Sequence, residues 1–152
     1  MSLALRLLDE DEVRALAPEI ERGYAEEIEH YGNLDGEAAR RKAAQDIPQV
    51  LDDPTSDLFA LEEDGRRVGH LWIGERDLQE RCVLWIWDVF VDPSQRGRGL
   101  GRRAMELAEG EARRRGLDRV ELNVFGGNEV ARSLYRALDY DEIAVAMGKH
   151  VA

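Results

Sequence analysis

Between an apolar run and an amphipathic one, the chain carries Arg96-Gly97-Arg98-Gly99-Leu100-Gly101-Arg102-Arg103. The run before it, Val83 to Val91, reads as a strand broken only by Asp88. The stretch after it sets Leu100, Ala104, Leu107 and Ala108 on one helical face. Strand, glycine-rich turn and helix start together make a cradle for an anion. Glycine lets the backbone come close to a ligand and aim successive N–H groups at it, and the helix N-terminus adds partial positive charge. From Gln95 to Arg103 there are four arginines and no carboxylate, inside a chain of net charge −11. An anion belongs there.

The spacing narrows which anion. A Walker-type loop needs Lys and then Ser or Thr after its last glycine, and this turn has neither. A dinucleotide fingerprint needs Gly-x-Gly-x-x-Gly, whereas Gly97, Gly99 and Gly101 fall at every second position. What remains is Arg-x-x-Gly-x-Gly at Arg96, Gly99 and Gly101. Alone, that pattern also suits a tight connection that holds nothing. A second segment decides between the two. Val120 to Phe125 reads as a strand, Gly126-Gly127-Asn128 follows, and Ala131, Leu134, Tyr135 and Leu138 then form one helical stripe. Asn128 stands at the N-cap position of that helix.

Val-Asp-Pro-Ser-Gln-Arg-Gly-Arg-Gly-Leu-Gly followed by Asn-x-x-Ala-x-x-Leu-Tyr resembles the Gcn5-related N-acetyltransferase (GNAT) superfamily, across residues 83–140. The resemblance implies a single N-acetyltransferase domain over residues 1–152. It also implies an α/β (α+β) fold, a mixed, largely antiparallel central sheet flanked by helices. Acetyl-CoA would be the cofactor, its pyrophosphate held by Arg96, Gly97, Arg98, Gly99, Leu100, Gly101 and Arg102, with backbone N–H groups as far as Arg103. The splayed strand at Val89, Phe90 and Val91 would pair with the pantetheine arm, through the exposed backbone of Val89 and Val91. Asn128 would contact the same arm, and Tyr135 would protonate the departing thiolate. Where the family prefers Gly at the end of that last helix, this chain has Asp139, which touches only the helix C-cap.

Direct attack by an amine on the thioester needs a neutral amine, a polarised carbonyl and a proton for the sulfur. A tyrosine suits the last task because its usual pKa of about 10 lies near that of a thiol. Without the resemblance, Tyr135 on an apolar stripe would be core packing. Asp88 is the candidate general base, since a carboxylate inside an apolar run is paired, exposed at a splay or shifted by desolvation. Relatives often carry the acid one residue earlier, where this chain has Trp87, and neighbours in a strand point to opposite faces. Glu75 and Asp77 compete for the role. His70 reads as a strand residue with a satisfied imidazole.

The 152 residues, 43% hydrophobic, suffice for one domain with a real core. No apolar run approaches a membrane span, no secretory signal opens the chain, and one cysteine excludes an internal disulfide, so a cytoplasmic location is expected. Cys82, at a strand start, reads as a packed or half-exposed thiol. No Cys/His cluster has metal spacing, so no metal is expected.

The element order reads β-α-α-β-β-β-α-β-α-β. The first strand is Leu3 to Leu8, followed by a helix capped at Asp9 or Asp11 that Pro18 weakens or divides. A second helix runs from about Asp35 to Gln45 and stops before Pro48. Strands Asp57–Leu61 and Arg66–Gly74 flank a hairpin turn at Glu63-Asp64-Gly65. The motif strand, the helix from Gly99 to about Arg115, a strand and the Asn128 helix come next, and Asp141–Lys149 forms the last strand.

Charge is uneven: residues 1–64 hold 18 acids against 6 bases. Glu26, Glu27, Glu29, Asp35 and Glu37 crowd the region that shapes the acceptor pocket in the family, beside Tyr24, His30 and Tyr31. Such a mouth would favour a cationic small-molecule or peptide amine, although charged helix faces are commonly just solvated. The acidity argues against nucleic acid, and Arg113-Arg114-Arg115 reads as complementing a helix C-terminus. Dimers are common in the family, and Ile143 to Met147 would serve at a homodimer interface or in the core. The alternative to an enzyme is a non-catalytic acyl-CoA-binding sensor or scaffold, which would not need Tyr135.

Overall fold

A computed structural model describes residues 2–152. Its strands are β1 (Leu3–Leu7), β2 (Asp57–Glu63), β3 (Arg66–Asp77), β4 (Cys82–Val91) and β5 (Val120–Leu122), in that order across one sheet. The first four pair antiparallel, and β4 pairs with β5 in parallel. Helices α1 (Glu10–Tyr31) and α2 (Gly36–Leu51) join β1 to β2, while α3 (Leu100–Arg114) and α4 (Glu129–Ala137) flank β5 in sequence. This is the expected mixed, largely antiparallel sheet with helices around it. No helix among the described residues is long and apolar enough to cross a membrane.

Strand alternation sends side chains to two cores. Leu61, Leu71, Ile73, Leu84 and Ile86 meet Leu100, Ala104, Met105 and Ala108 of α3 on one face. Leu58, Ala60 and Trp72 meet Leu16 and Ile20 of α1 and Ile47 of α2 on the other. The second core explains two departures from expectation. Pro18 does not divide α1, and α2 does not stop before Pro48 but runs through it to Leu51. Each proline removes one helix donor, at a cost of about 3 kcal/mol. The buried stripe of Leu16, Ile20, Ala25 and Ile28 facing Ala39, Ala43 and Ile47 outweighs that cost. The caps are those expected: Asp9 forms a reciprocal box with Glu12, and Asp35 accepts from the Ala38 N–H at 2.8 Å.

Three local features position the site. In β4, Trp72 faces Asp88 but Ile73 faces Ile86, so Trp87 is an extra, bulged residue. The bulge puts Trp87, whose indole lies against Gly74, on the same side of the sheet as Asp88. Arg115 is only 11% exposed and joins α3 to the sheet through Asp57, Glu75 and Glu111. It is therefore a structural hub rather than only a complement to its helix end.

The third feature is the close of α4. Asp139 has φ 67°, the Asp139 N–H donates to Arg136 O and the Tyr140 N–H donates to Tyr135 O. A left-handed non-glycine residue is strained, so Asp139→Gly should raise unfolding stability by about 0.5–1 kcal/mol in a urea melt.

The expected last strand, Asp141–Lys149, is not formed. Residues 141–152 carry no regular structure and are all exposed. A strand requires a neighbour, and none lies beside this segment among the described residues.

Candidate active site

β4 and β5 pair only at Leu84–Val120, Trp85–Glu121 and Ile86–Leu122. Beyond Ile86, β4 continues to Val91 while the other chain leaves through Phe125 to Asn128, and the two strands open into a cleft. The Asp92 N–H donates to Val68 O, so by antiparallel alternation Phe90 and Asp88 turn their backbone toward β3. Val89 and Val91 turn theirs toward the cleft. Arg96 Nε occupies the Val91 carbonyl at 2.9 Å, and its guanidinium sits 5.2 Å from the Phe90 ring centre. That takes one of the backbone groups expected to receive a ligand. The Val91 N–H and the backbone of Val89 stay directed at the cleft.

The turn at the end of β4 is built as its glycines require. Gly97 has φ 79° and Gly99, the N-cap of α3, has φ 77°. A Cβ at either would meet nothing, so backbone conformation rather than space selects glycine there. The Arg103 N–H donates to Gly99 O at 3.2 Å and is taken into the helix. The expected row of donors therefore ends at Arg102, with Leu100, Gly101 and Arg102 forming the open first turn. Arg98 points away from that opening. Its guanidinium is held by Gln95 at 2.6 Å and by the buried Glu63 at 2.7 Å. Diverging strands, orphan helix donors and two left-handed glycines fit the pantetheine arm and pyrophosphate of a CoA thioester.

The opposite wall is α4. Asn128 Oδ1 accepts from the Ala131 N–H at 3.2 Å and so caps the helix, as expected. Tyr135, two turns on, is half-buried against the α3-side core. Its hydroxyl is pushed up to about 12, by burial first and then by the charges of Asp88 and Glu27. It is a neutral donor at any physiological pH.

Asp88 is half-buried, with Oδ2 at 2.7 Å from Nε2 of His70. His70 is only 5% exposed and stacks on Phe90 at 5.3 Å. The imidazole is satisfied, as expected, and its partner is Asp88 itself. Glu75 and Asp77 are engaged elsewhere: Glu75 holds Arg115 at 3.0 Å, and Asp77 accepts from the Gln79 N–H at 2.9 Å. Cys82 is exposed rather than packed. Its thiol is pushed up by desolvation and by the charges of Glu75 and Asp77, the reverse of an activated nucleophile.

The acidic cluster disperses. Glu26 and Glu29 line a groove with Arg22 and Arg40, Asp35 caps α2, and Glu37 pairs with Arg41 at 3.2 Å. Of the five, Glu27 is the one close enough to Asp88 and Tyr135 for its charge to act on both. Burial, and then the charge of Asp88, push its carboxyl up to about 7. One turn later Tyr31 stacks on Phe125 at 6.0 Å and packs on Gly127, which brings the end of α1 over the cleft. Sequence reasoning named Glu27 only as one acid among five. The signal was its register: Leu16, Ile20, Tyr24, Glu27 and Tyr31 recur at helical spacing, so a carboxylate sits in an otherwise apolar and aromatic stripe.

A raised carboxyl opposes folding above its ordinary range. The folded state binds the Glu27 proton more tightly than the unfolded chain does, so stability falls as pH rises from about 4.5 to about 7 and then levels. Glu27→Gln should thus gain about 1–2 kcal/mol over the wild type at pH 8, after discounting for partial exposure, and little at pH 4.5. Thermal melts at the two pH values measure the difference.

Known proteins share this architecture. The chain is 27% identical to the uncharacterized N-acetyltransferase YycN of Bacillus subtilis (strain 168), over 98% of this chain and 99% of that one. The crystal structure of YycN superposes with a TM-score of 0.90, covering 99% of each chain. An aminoglycoside acetyltransferase from an uncultured soil metagenomic sample matches at TM-score 0.64 and 25% identity over all of both chains. A predicted acetyltransferase from Clostridium acetobutylicum, solved with acetyl-CoA, shares the fold at TM-score 0.68 and 14% identity, over 98% of this chain and 96% of that one. The profile of the Acetyltransferase (GNAT) family matches residues 18–140, from α1 through the Asn128 helix. The chain belongs to the GNAT acetyltransferase family, whose acyl donor is acetyl-CoA.

Proposed function

We propose that the chain is an N-acetyltransferase acting on a cationic primary amine, a small molecule or a peptide amine, by direct attack in a ternary complex. The observation that carries this reading is the convergence of Glu27, Asp88 and Tyr135, from three separate elements, on the cleft between β4 and β5. Bound with its pyrophosphate on Leu100 to Arg102, acetyl-CoA supplies a thioester whose carbonyl the amine attacks as the sulfur leaves.

The residues of the chain do the rest. Glu27 and Asp88 attract the ammonium form and take its proton, Asp88 being the general base and His70 holding its carboxylate in place. Backbone N–H groups of the splayed β4 polarise the acetyl oxygen. Tyr135 Oη is the general acid. Its raised pKa has a use here, because two of its three causes are the charges of Asp88 and Glu27. When one of those carboxylates accepts the amine's proton, Tyr135 becomes a stronger acid at the moment the sulfur needs a proton. Acceptance of a polyamine or aminoglycoside-like amine agrees with the paired carboxylates and with the metagenomic relative.

Calorimetric titration with acetyl-CoA, with ATP and NAD as controls, tests the donor site. Thiol release with a panel of cationic and neutral amines tests the acceptor. Micromolar binding of acetyl-CoA alone and turnover favouring cationic amines are expected. Binding without turnover on any amine would point to a sensor or scaffold instead.

A further inference from the structure

A carboxylate is the least expected neighbour of an anion site, yet one lies buried beside the turn that precedes α3. β2 ends on Glu63, which shares the α3-facing side of the sheet with Leu61. Its side chain is only 9% exposed. Oε1 accepts from Arg98 Nη2 at 2.7 Å, and Oε2 lies 4.0 Å from Arg103 Nη1. A buried ion pair gives little net stability over well-packed apolar side chains, and its best-attested use is to select one arrangement of the chain. The chemistry of acetyl transfer makes no use of Glu63, and its charge on its own would repel a pyrophosphate.

What such a pair selects here is the shape of the turn. Arg98 stands between Gly97 and Gly99, both left-handed, and glycine enters that region about as readily as it leaves it. Gly99, the N-cap of α3, supplies no side-chain cap. Among the described residues, no backbone N–H from Gly97 to Arg102 donates to another backbone group outside the helix. Local chemistry therefore leaves the turn free to swing at each glycine. Arg98 precedes Gly99 and Arg103 follows it, and Glu63 meets both. One buried side chain thus spans the hinge.

We infer that Glu63 is a positioning residue for the acyl donor: through Arg98 and Arg103 it holds the turn in the shape that aims the N–H groups of Leu100 to Arg102 at the pyrophosphate. It acts through the two arginines and not on the donor itself. This role presupposes the proposed seat of the pyrophosphate on Leu100 to Arg102. Charge and position make opposite demands. By its field alone Glu63 weakens anion binding, so neutralising it would tighten binding. As a positioning residue its neutralisation loosens the turn and weakens binding. If the competent shape falls to about one-tenth of the population, the apparent Kd rises about tenfold.

Calorimetric titration of the full chain with acetyl-CoA reads the sign. Glu63→Gln keeps the shape of the side chain and removes its charge, and its Kd should rise about tenfold. Arg98→Gln should raise Kd by a similar factor, and the double variant no further, because both break one contact. The rise in Arg98→Gln should persist at about 1 M salt, where the loss of a surface charge is largely screened. An unchanged or lower Kd in folded Glu63→Gln overturns the inference. So do losses that multiply in the double variant, which would place Arg98 on the donor itself. If Glu63→Gln fails to fold, Arg98→Gln decides, its side chain being 39% exposed: a loss that vanishes at high salt overturns the inference. A wild type that does not bind acetyl-CoA overturns the seat of the pyrophosphate as well, whereas tight wild-type binding matched by the variants overturns the role of Glu63 alone.

Discussion

Tyr135→Phe should lower kcat about 100-fold or more while leaving acetyl-CoA affinity within about threefold, because general acid catalysis contributes about 10²–10⁴ in rate. The substitution removes one oxygen and keeps the ring that packs on the α3-side core and lies 6.0 Å from Tyr140. The lost oxygen is one whose proton is held tightly, by burial first and then by the charges of Asp88 and Glu27. A role confined to packing would leave kcat unchanged and lower the melting temperature slightly. Single-turnover thiol release, with calorimetry for affinity, separates the two outcomes. A dependence of the residual rate on the thiol pKa of the acyl donor would add an independent mark of the missing acid. Poor leaving groups should suffer most.

What the sequence made legible was what local chemistry dictates. Gly97 and Gly99 were readable because a left-handed turn before a helix needs them, and Asn128 because a short amide caps a helix from that position. The hairpin at Asp64-Gly65 and the left-handed Asp139 belong to the same class. The misreadings all depend on partners far away in the chain. Pro18 and Pro48 are helix breakers by local chemistry, and only the packing of α1 on α2 outweighs them. Whether Asp88 and Trp87 share a face depends on a bulge set by the register of β3, which no periodicity in β4 reveals. Asp141–Lys149 has the pattern of a strand, but a pattern supplies no neighbour. Glu27 was visible as an acid and invisible as a site residue, since its distinction is its nearness to Asp88 and Tyr135.

Asp88→Asn should reduce kcat/KM about 100-fold and also shift its pH dependence, and the shift is the more discriminating result. In the wild type the ionised Glu27 is required to draw in the ammonium, so kcat/KM should rise with pH up to about 7, where that carboxyl loses its proton in the free enzyme. Part of its elevation comes from the charge of Asp88, after burial. Asparagine removes the charge and keeps a hydrogen-bonding partner for His70, which lies 2.7 Å away. Glu27 should therefore titrate lower, and the acid limb should move to lower pH even as the plateau falls. Glu27→Gln supplies the control, because it should abolish that limb and leave Asp88 in place. An unchanged limb in Asp88→Asn would mean the two carboxylates do not share one acceptor site. Loss of rate with no shift would then assign Asp88 to holding His70 and β4 rather than to accepting the proton.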